Sequence, residues 1–80
     1  MFTRVLTYDL RNGSPYDYRD LYNYFEEVKA TQLTESSYLI KTDLSLEEFK
    51  QKIKNLTKYG DNVKVITSMK EDGLKVYDIR

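Results

Sequence analysis

The sequence predicts an α+β domain in which β-rich runs alternate with two amphipathic helices. Two observations carry this. Apolar residues recur at spacings of three, four and three in two separate stretches, Tyr18-Leu21-Phe25-Val28 and Leu46-Phe49-Ile53-Leu56, the period of a helix with one buried face. Runs rich in Val, Ile, Tyr and Thr lie before, between and after them, bounded by turn-forming clusters.

Phe2 to Leu10 reads as the first strand, with Val5, Leu6 and Tyr8 set between Thr3 and Thr7. Val5 and Leu6 are adjacent and so face opposite ways. A central strand covered on both faces accommodates that. The strand stops near Leu10, because Arg11-Asn12-Gly13-Ser14-Pro15 is a turn-forming cluster. The first helix is expected to follow at once, with Ser14 as cap, Pro15 at the first helical position and Asp17 three residues after the cap. Tyr22 widens its apolar stripe.

A short strand over Lys29 to Leu33, a turn at Thr34-Glu35 and a strand from Ser37 to Thr42 form the economical hairpin. In the latter, Tyr38 and Ile40 share one face and Leu39 takes the other. The second helix has the sharpest boundary in the chain. Ser45 and Glu48 form a capping box, and Leu44 with Phe49 supplies the hydrophobic staple. Gly60 is expected to break it. Asn62 to Thr67 is the fourth strand, Ser68 to Gly73 is polar and turn-like, and Leu74 to Ile79 is a short fifth strand. The order matches the split βαβ pattern of ferredoxin-like domains with an added C-terminal strand. Two helices on one face leave the other face of the sheet open. The adjacent apolar pairs in the first, third and fourth strands imply that this face is not fully wet, and a partner sheet would cover it.

Eighty residues fit one domain spanning 1–80, and a chain of this length buries only about 60–65% of its extended surface. Pairing with a second copy would extend the core. Eight tyrosines suit half-buried and interface positions, and a tyrosine-rich helix face and sheet edge accounts for them equally. The chain has no cysteine and no histidine, which excludes disulfides, thiolate catalysis, Cys/His zinc sites and histidine acid–base chemistry. No run approaches the ~20 apolar residues of a membrane span, and no secretory signal opens the chain. A cytoplasmic protein without membrane contact is the expectation. Basic and acidic side chains balance at 13 each; residues 1–40 carry four basic and six acidic groups, and residues 41–80 carry nine and seven. A protein that coats nucleic acid is usually more basic.

The strand RVLTYDL (4–10), the segment NGSPYDYRDLY (12–22), ESSYLIKTDLS (35–45) and the later KYGDNVKVI (58–66) resemble the CRISPR-associated adaptation proteins, the dimeric subunit that works with the spacer integrase. They resemble more closely the short bacterial SinR-like proteins, which look related to that family. The resemblance spans nearly the whole chain. It implies a ferredoxin-like homodimer joined through open sheet faces, with Leu74–Ile79 adding to the partner's sheet. It implies that Asp9, at the end of the first strand, lies near a dimer axis, where two such residues in nuclease members are proposed to hold a divalent metal. Polar residues that begin the third strand match Ser36 and Ser37. Basic residues after the first strand and along the first helix match Arg11 and Arg19 roughly. Other members serve as DNA-bridging scaffolds, and their stronger basic character is missing here.

Asp9 is thus the candidate catalytic residue and metal ligand, for Mg²⁺ or Mn²⁺. One carboxylate is too few for a hard cation, so a symmetry-related Asp9, phosphate and water would complete the shell. Asp9 ending the strand and accepting from loop N–H groups is the structural alternative. Arg11, Asn12, Arg19 and Ser37 are candidates to surround a phosphate. Tyr8 is a candidate to stack on a base, although a strand tyrosine is more often core. Lys50, Lys54 and Lys58 share one helical face that would either track a nucleic-acid backbone or complement the helix dipole. Three classes of function follow: a non-enzymatic homodimeric binding or scaffold protein tied to nucleic acid or a defence system, a protein-interaction module without nucleic-acid contact, and a metal-dependent endonuclease using paired Asp9. Neutral charge and the shortage of carboxylates near Asp9 place the enzyme last.

Overall fold

The structure is a computed structural model of the 80-residue chain and describes residues 2–10, 18–69 and 73–80. Its elements are β1 (Phe2–Asp9), α1 (Arg19–Glu27), β2 (Thr31–Thr34), β3 (Ser37–Thr42), α2 (Leu46–Leu56), β4 (Asn62–Met69) and β5 (Gly73–Asp78). The five strands form one sheet in the order β2-β3-β1-β4-β5, and every neighbouring pair is antiparallel. This is the ferredoxin-like βαββαβ arrangement with an extra strand. Among the described residues, no helix is long and apolar enough to cross a membrane.

Strand alternation decides which side chains meet the helices. Leu6, Tyr8, Ile40, Val63 and Val65 are buried from the sheet side, and Leu21, Phe25, Phe49 and Ile53 answer them from the helices. Phe49 and Ile53 are fully buried, so truncating Phe49 to Ala would cost about 3–5 kcal/mol in lost transfer energy and cavity formation. On α1 the buried set is Leu21, Tyr24 and Phe25, with Tyr18 buried just before it. Tyr24 joins the stripe as a buried residue, and Tyr22, at its edge and 38% exposed, widens it by setting its ring edge-on to Phe25 at 5.9 Å.

Helix ends follow side-chain chemistry. The Ser45–Glu48 capping box is present: the Glu48 N–H donates to Ser45 Oγ at 3.2 Å and the Ser45 N–H to Glu48 Oε1 at 3.4 Å. The helix stops at Leu56, before Gly60, because side chains take over its last carbonyls. The Thr57 hydroxyl donates to the Ile53 carbonyl at 3.0 Å, and Arg80 Nη2 donates to the Lys54 carbonyl at 2.7 Å. The second strand begins later than the expected Lys29. Lys29 takes a left-handed φ of 55°, and the Ala30 and Lys29 N–H groups donate to the Phe25 and Glu26 carbonyls at 2.9 and 3.1 Å. That is the Schellman pattern, so Lys29 closes the helix and β2 begins only at Thr31. Ser68 and Met69 extend β4, and Gly73 opens β5, where the sequence reads as a polar turn. The expected Ser14 cap and Pro15 lie outside the described residues.

Arg4 is a core residue that the hydrophobic pattern does not announce. It is 5% exposed. Its Nη1 donates to Thr67 Oγ1 at 2.7 Å and its Nη2 to the Leu44 carbonyl at 3.3 Å, while the guanidinium lies 4.8 Å from the centre of the Phe2 ring. One side chain thereby ties β1 to β4 and to the entry of α2.

Candidate functional site

Among the described residues, no helix covers the second face of the sheet. Register places one apolar residue from each of β3, β1, β4 and β5 in a single row across it: Leu39 opposite Val5, Val5 opposite Ile66, and Ile66 opposite Val76, with Thr31 of β2 continuing the row beyond Leu39. Leu39, Val5 and Ile66 are partly covered by their neighbours, whereas Val76 is 59% exposed. The next row is polar and reads Ser37, Thr7, Lys64, Asp78, with an ion pair between Lys64 and Asp78. On the other side of the apolar row stand Lys41 and Thr3, and Leu74, also on this face, is 73% exposed.

Asp9 ends β1 on this open face, opposite Asn62 of β4. Thr7, Asp9, Asn62 and Lys64 line a shallow hollow there. Ser37 lies on the same face, opposite Thr7, and its hydroxyl is 2.7 Å from that of Thr34. Arg19 stands in the helix layer, at the start of α1. Arg11 and Asn12 lie outside the described residues. The structure therefore brings Asp9 and Ser37 to one face together with Thr7, Asn62 and Lys64, which sequence reasoning did not single out. Pairing register, invisible in the chain, is what joins β4 to the site.

Tyr8 is placed differently from its neighbour. It is 7% exposed and points into the helix layer, its ring stacked with Phe25 at 6.1 Å and with Tyr38 at 6.4 Å. Phe25 and Tyr38 are themselves stacked at 4.1 Å. No base reaches a ring so enclosed, so Tyr8 is a core residue. Burial chiefly raises its pKa, and Tyr22 and Tyr38 add to the rise. The Tyr22 hydroxyl comes near without hydrogen-bond geometry, and the Tyr8 hydroxyl has no partner.

The chemistry of the Asp9 hollow is limited within one chain. A magnesium or manganese ion wants about six hard oxygen ligands. Here one carboxylate and one amide share the hollow with the Lys64 ammonium, and among the described residues no three acidic side chains converge on a metal position. One chain does not fit the ion. Of the lysines on α2, Lys50 lies 5.9 Å from the Tyr77 ring centre and 3.9 Å from the Glu47 carboxylate, and Lys52, which is exposed, lies 5.3 Å from the Tyr24 ring centre. Lys54 and Lys58 remain exposed.

Fold and face together define a ferredoxin-like α+β domain with one helix layer and a second, partly apolar sheet face that none of the described helices covers. No protein-family model, no curated protein and no solved structure matches this chain.

Proposed function

We propose that this chain acts as a non-enzymatic homodimeric binding or scaffold module, two copies meeting through their open sheet faces, in the manner of the CRISPR adaptation subunit that its sequence resembles. The in-register apolar row Leu39–Val5–Ile66–Val76 carries the reading. An apolar row on an uncovered sheet needs a cover, and a second copy fits it. A half-turn about an axis parallel to β1, midway between β1 and β4, sets Val5 of one copy over Ile66 of the other and Leu39 over Val76. The polar row then meets itself reversed, Thr7 over Lys64 and Ser37 over Asp78, so no like charges oppose. Lys41 lays its aliphatic stem over Leu74.

The area supports a modest affinity. Strands of 8, 4, 6, 8 and 6 residues, about 4.8 Å apart and rising about 3.3 Å per residue, give a face of roughly 500 Å². A standard interface uses about 800 Å² per partner, so a micromolar dimer is expected. In this arrangement Asp9 faces Asn62 of the other copy rather than its Asp9, which favours a scaffold over a shared-metal nuclease.

Light scattering at micromolar concentration tests the reading. The expected result is dimer mass for the native chain and monomer mass for Ile66→Lys/Val76→Lys with unchanged circular dichroism. Monomer mass for the native chain across that range overturns it. Mn²⁺-dependent cleavage of RNA or DNA that disappears in Asp9→Ala would replace it with the endonuclease reading.

A further inference from the structure

A second concavity lies off the open face, where α2 runs into β4. Tyr59 is 92% exposed, the greatest exposure of any large apolar side chain among the described residues. Gly60 follows with a φ of 94°, a left-handed turn that suits glycine, and the tyrosine ring stands beside a hollow of about 440 Å³ lined by Lys54, Gly60, Asp61, Asn62 and Arg80. That volume falls in the roughly 300–1,000 Å³ range of small-ligand sites. A concave site of this kind favours a compact ligand over a flat protein surface.

The end of a helix ordinarily repels anions, but here its carbonyls are already engaged. Ile53 O accepts from the Thr57 hydroxyl at 3.0 Å, and the Lys54 and Thr57 carbonyls accept from Arg80 Nη2 at 2.7 and 3.4 Å. The Asp61 carboxylate is likewise turned inward. It accepts from the Tyr18 hydroxyl at 3.0 and 2.8 Å and from the Lys58 N–H at 2.9 Å. Asp61 is 2% exposed, so its negative charge stays inside, and the cations at the rim of the hollow are Lys54 and Arg80, whose Nε also donates to Thr57 Oγ1 at 2.9 Å. Complementing the helix dipole accounts for those cations; it does not account for an aromatic ring held in water beside them.

We propose that this hollow binds a nucleotide, its base stacked on Tyr59, its phosphate held by Lys54 and Arg80, and its polar edge met by the Asn62 amide. Aromatic stacking serves any base, and Arg and Lys give phosphate its charge partners. The site needs only one chain, so it stands or falls separately from the homodimer.

Adenosine monophosphate and a fluorescent oligothymidylate single strand are the probes, titrated into the full chain by calorimetry and anisotropy. Binding is expected for at least one, weakening as salt rises. Tyr59→Ala should weaken it about tenfold, as loss of one stacked base does. Lys54→Glu should abolish it. Both side chains are exposed, so both variants should melt as the native chain does, and the affinity should persist in Ile66→Lys/Val76→Lys. Binding of the mononucleotide identifies a free nucleotide as the ligand; binding of the oligonucleotide alone identifies a single strand. Absence of both, or affinity unmoved by the two variants, overturns the site. Capture of a polyglutamate peptide in place of both probes, with the same dependence on Tyr59 and Lys54, overturns it in favour of an acidic peptide.

Discussion

Tyr8 and Asp9 are neighbours in the chain and opposites in the fold. β1 turns Tyr8 into the helix layer, where burial raises its pKa above the ordinary 10.0, and it turns Asp9 out to the open face. The Tyr8 shift has a consequence for stability. Above about pH 10 the unfolded chain releases this proton while the folded chain keeps it. The unfolded state then binds fewer protons, so stability falls as pH rises through that range. Tyr24, raised by burial and by the Glu27 charge, acts in the same direction. Tyr8→Phe removes its contribution and should flatten the alkaline loss of stability measured by urea unfolding at several pH values. Near neutral pH it should change stability by no more than about 1 kcal/mol, because the hydroxyl has no hydrogen bond to lose. An unchanged alkaline slope would contradict the assignment. Strand parity made the opposite facing of Tyr8 and Asp9 legible in the sequence. It did not show which face the helices cover, and that decides that Asp9, not Tyr8, is available to a partner. Arg4 shares the parity of Leu6 and Tyr8, yet its charge argues for solvent until Thr67 and the Leu44 carbonyl are seen waiting for it.

Elements with side-chain caps were read most closely. Ser45 and Glu48 mark the start of α2 without ambiguity because the reciprocal bonds need only local spacing, and β3 runs from Ser37 to Thr42 as its alternation predicts. The ends that were misplaced are closed by residues that carry no local signal. Thr57 and Arg80 finish α2 through contacts 23 residues apart in sequence. Lys29 finishes α1 in a left-handed conformation that sequence reasoning reserves for Gly or Asn. A side chain in that region costs about 1–2 kcal/mol, so Lys29→Gly should raise stability by roughly 0.5–1 kcal/mol, offset in part by the greater entropy of glycine in the unfolded chain. Chemical denaturation of the variant measures it. Lys29→Pro should be strongly destabilising, since proline cannot reach a positive φ and lacks the N–H that donates to Glu26.

The described helices of this 80-residue chain lie on one side of the sheet, and the adjacent apolar pairs Val5-Leu6, Leu39-Ile40 and Val65-Ile66 make it legible in the sequence that the other face is partly apolar. What could not be foreseen is that Leu39, Val5, Ile66 and Val76 fall into one row, because the row depends on three independent strand registers. The pairing of β5 with its own β4 over the whole of β5 likewise depends on register, and it sets Val76 at the end of the row and Leu74 beside it. A small domain of this kind gains stability from any partner that binds only its folded form. If two copies join through the row, the melting temperature must rise with chain concentration, by mass action alone. Removing the row should cancel that dependence and leave the isolated fold, whose core residues Phe49, Ile53, Val63 and Val65 lie on the other side of the sheet. Melting curves at two concentrations a hundredfold apart, spanning the micromolar range, should therefore separate for the native chain by several degrees. A hundredfold change in concentration is worth at most about 2.7 kcal/mol per dimer, half of that per chain, and about 1 kcal/mol moves a domain of this size by ~4–8 °C. The curves should coincide for Ile66→Lys/Val76→Lys. Coincident curves for the native chain would mean that the row stays uncovered by a second copy, and a separation that survives in the double variant would mean that association uses another surface, with the edge of β5 the first to test.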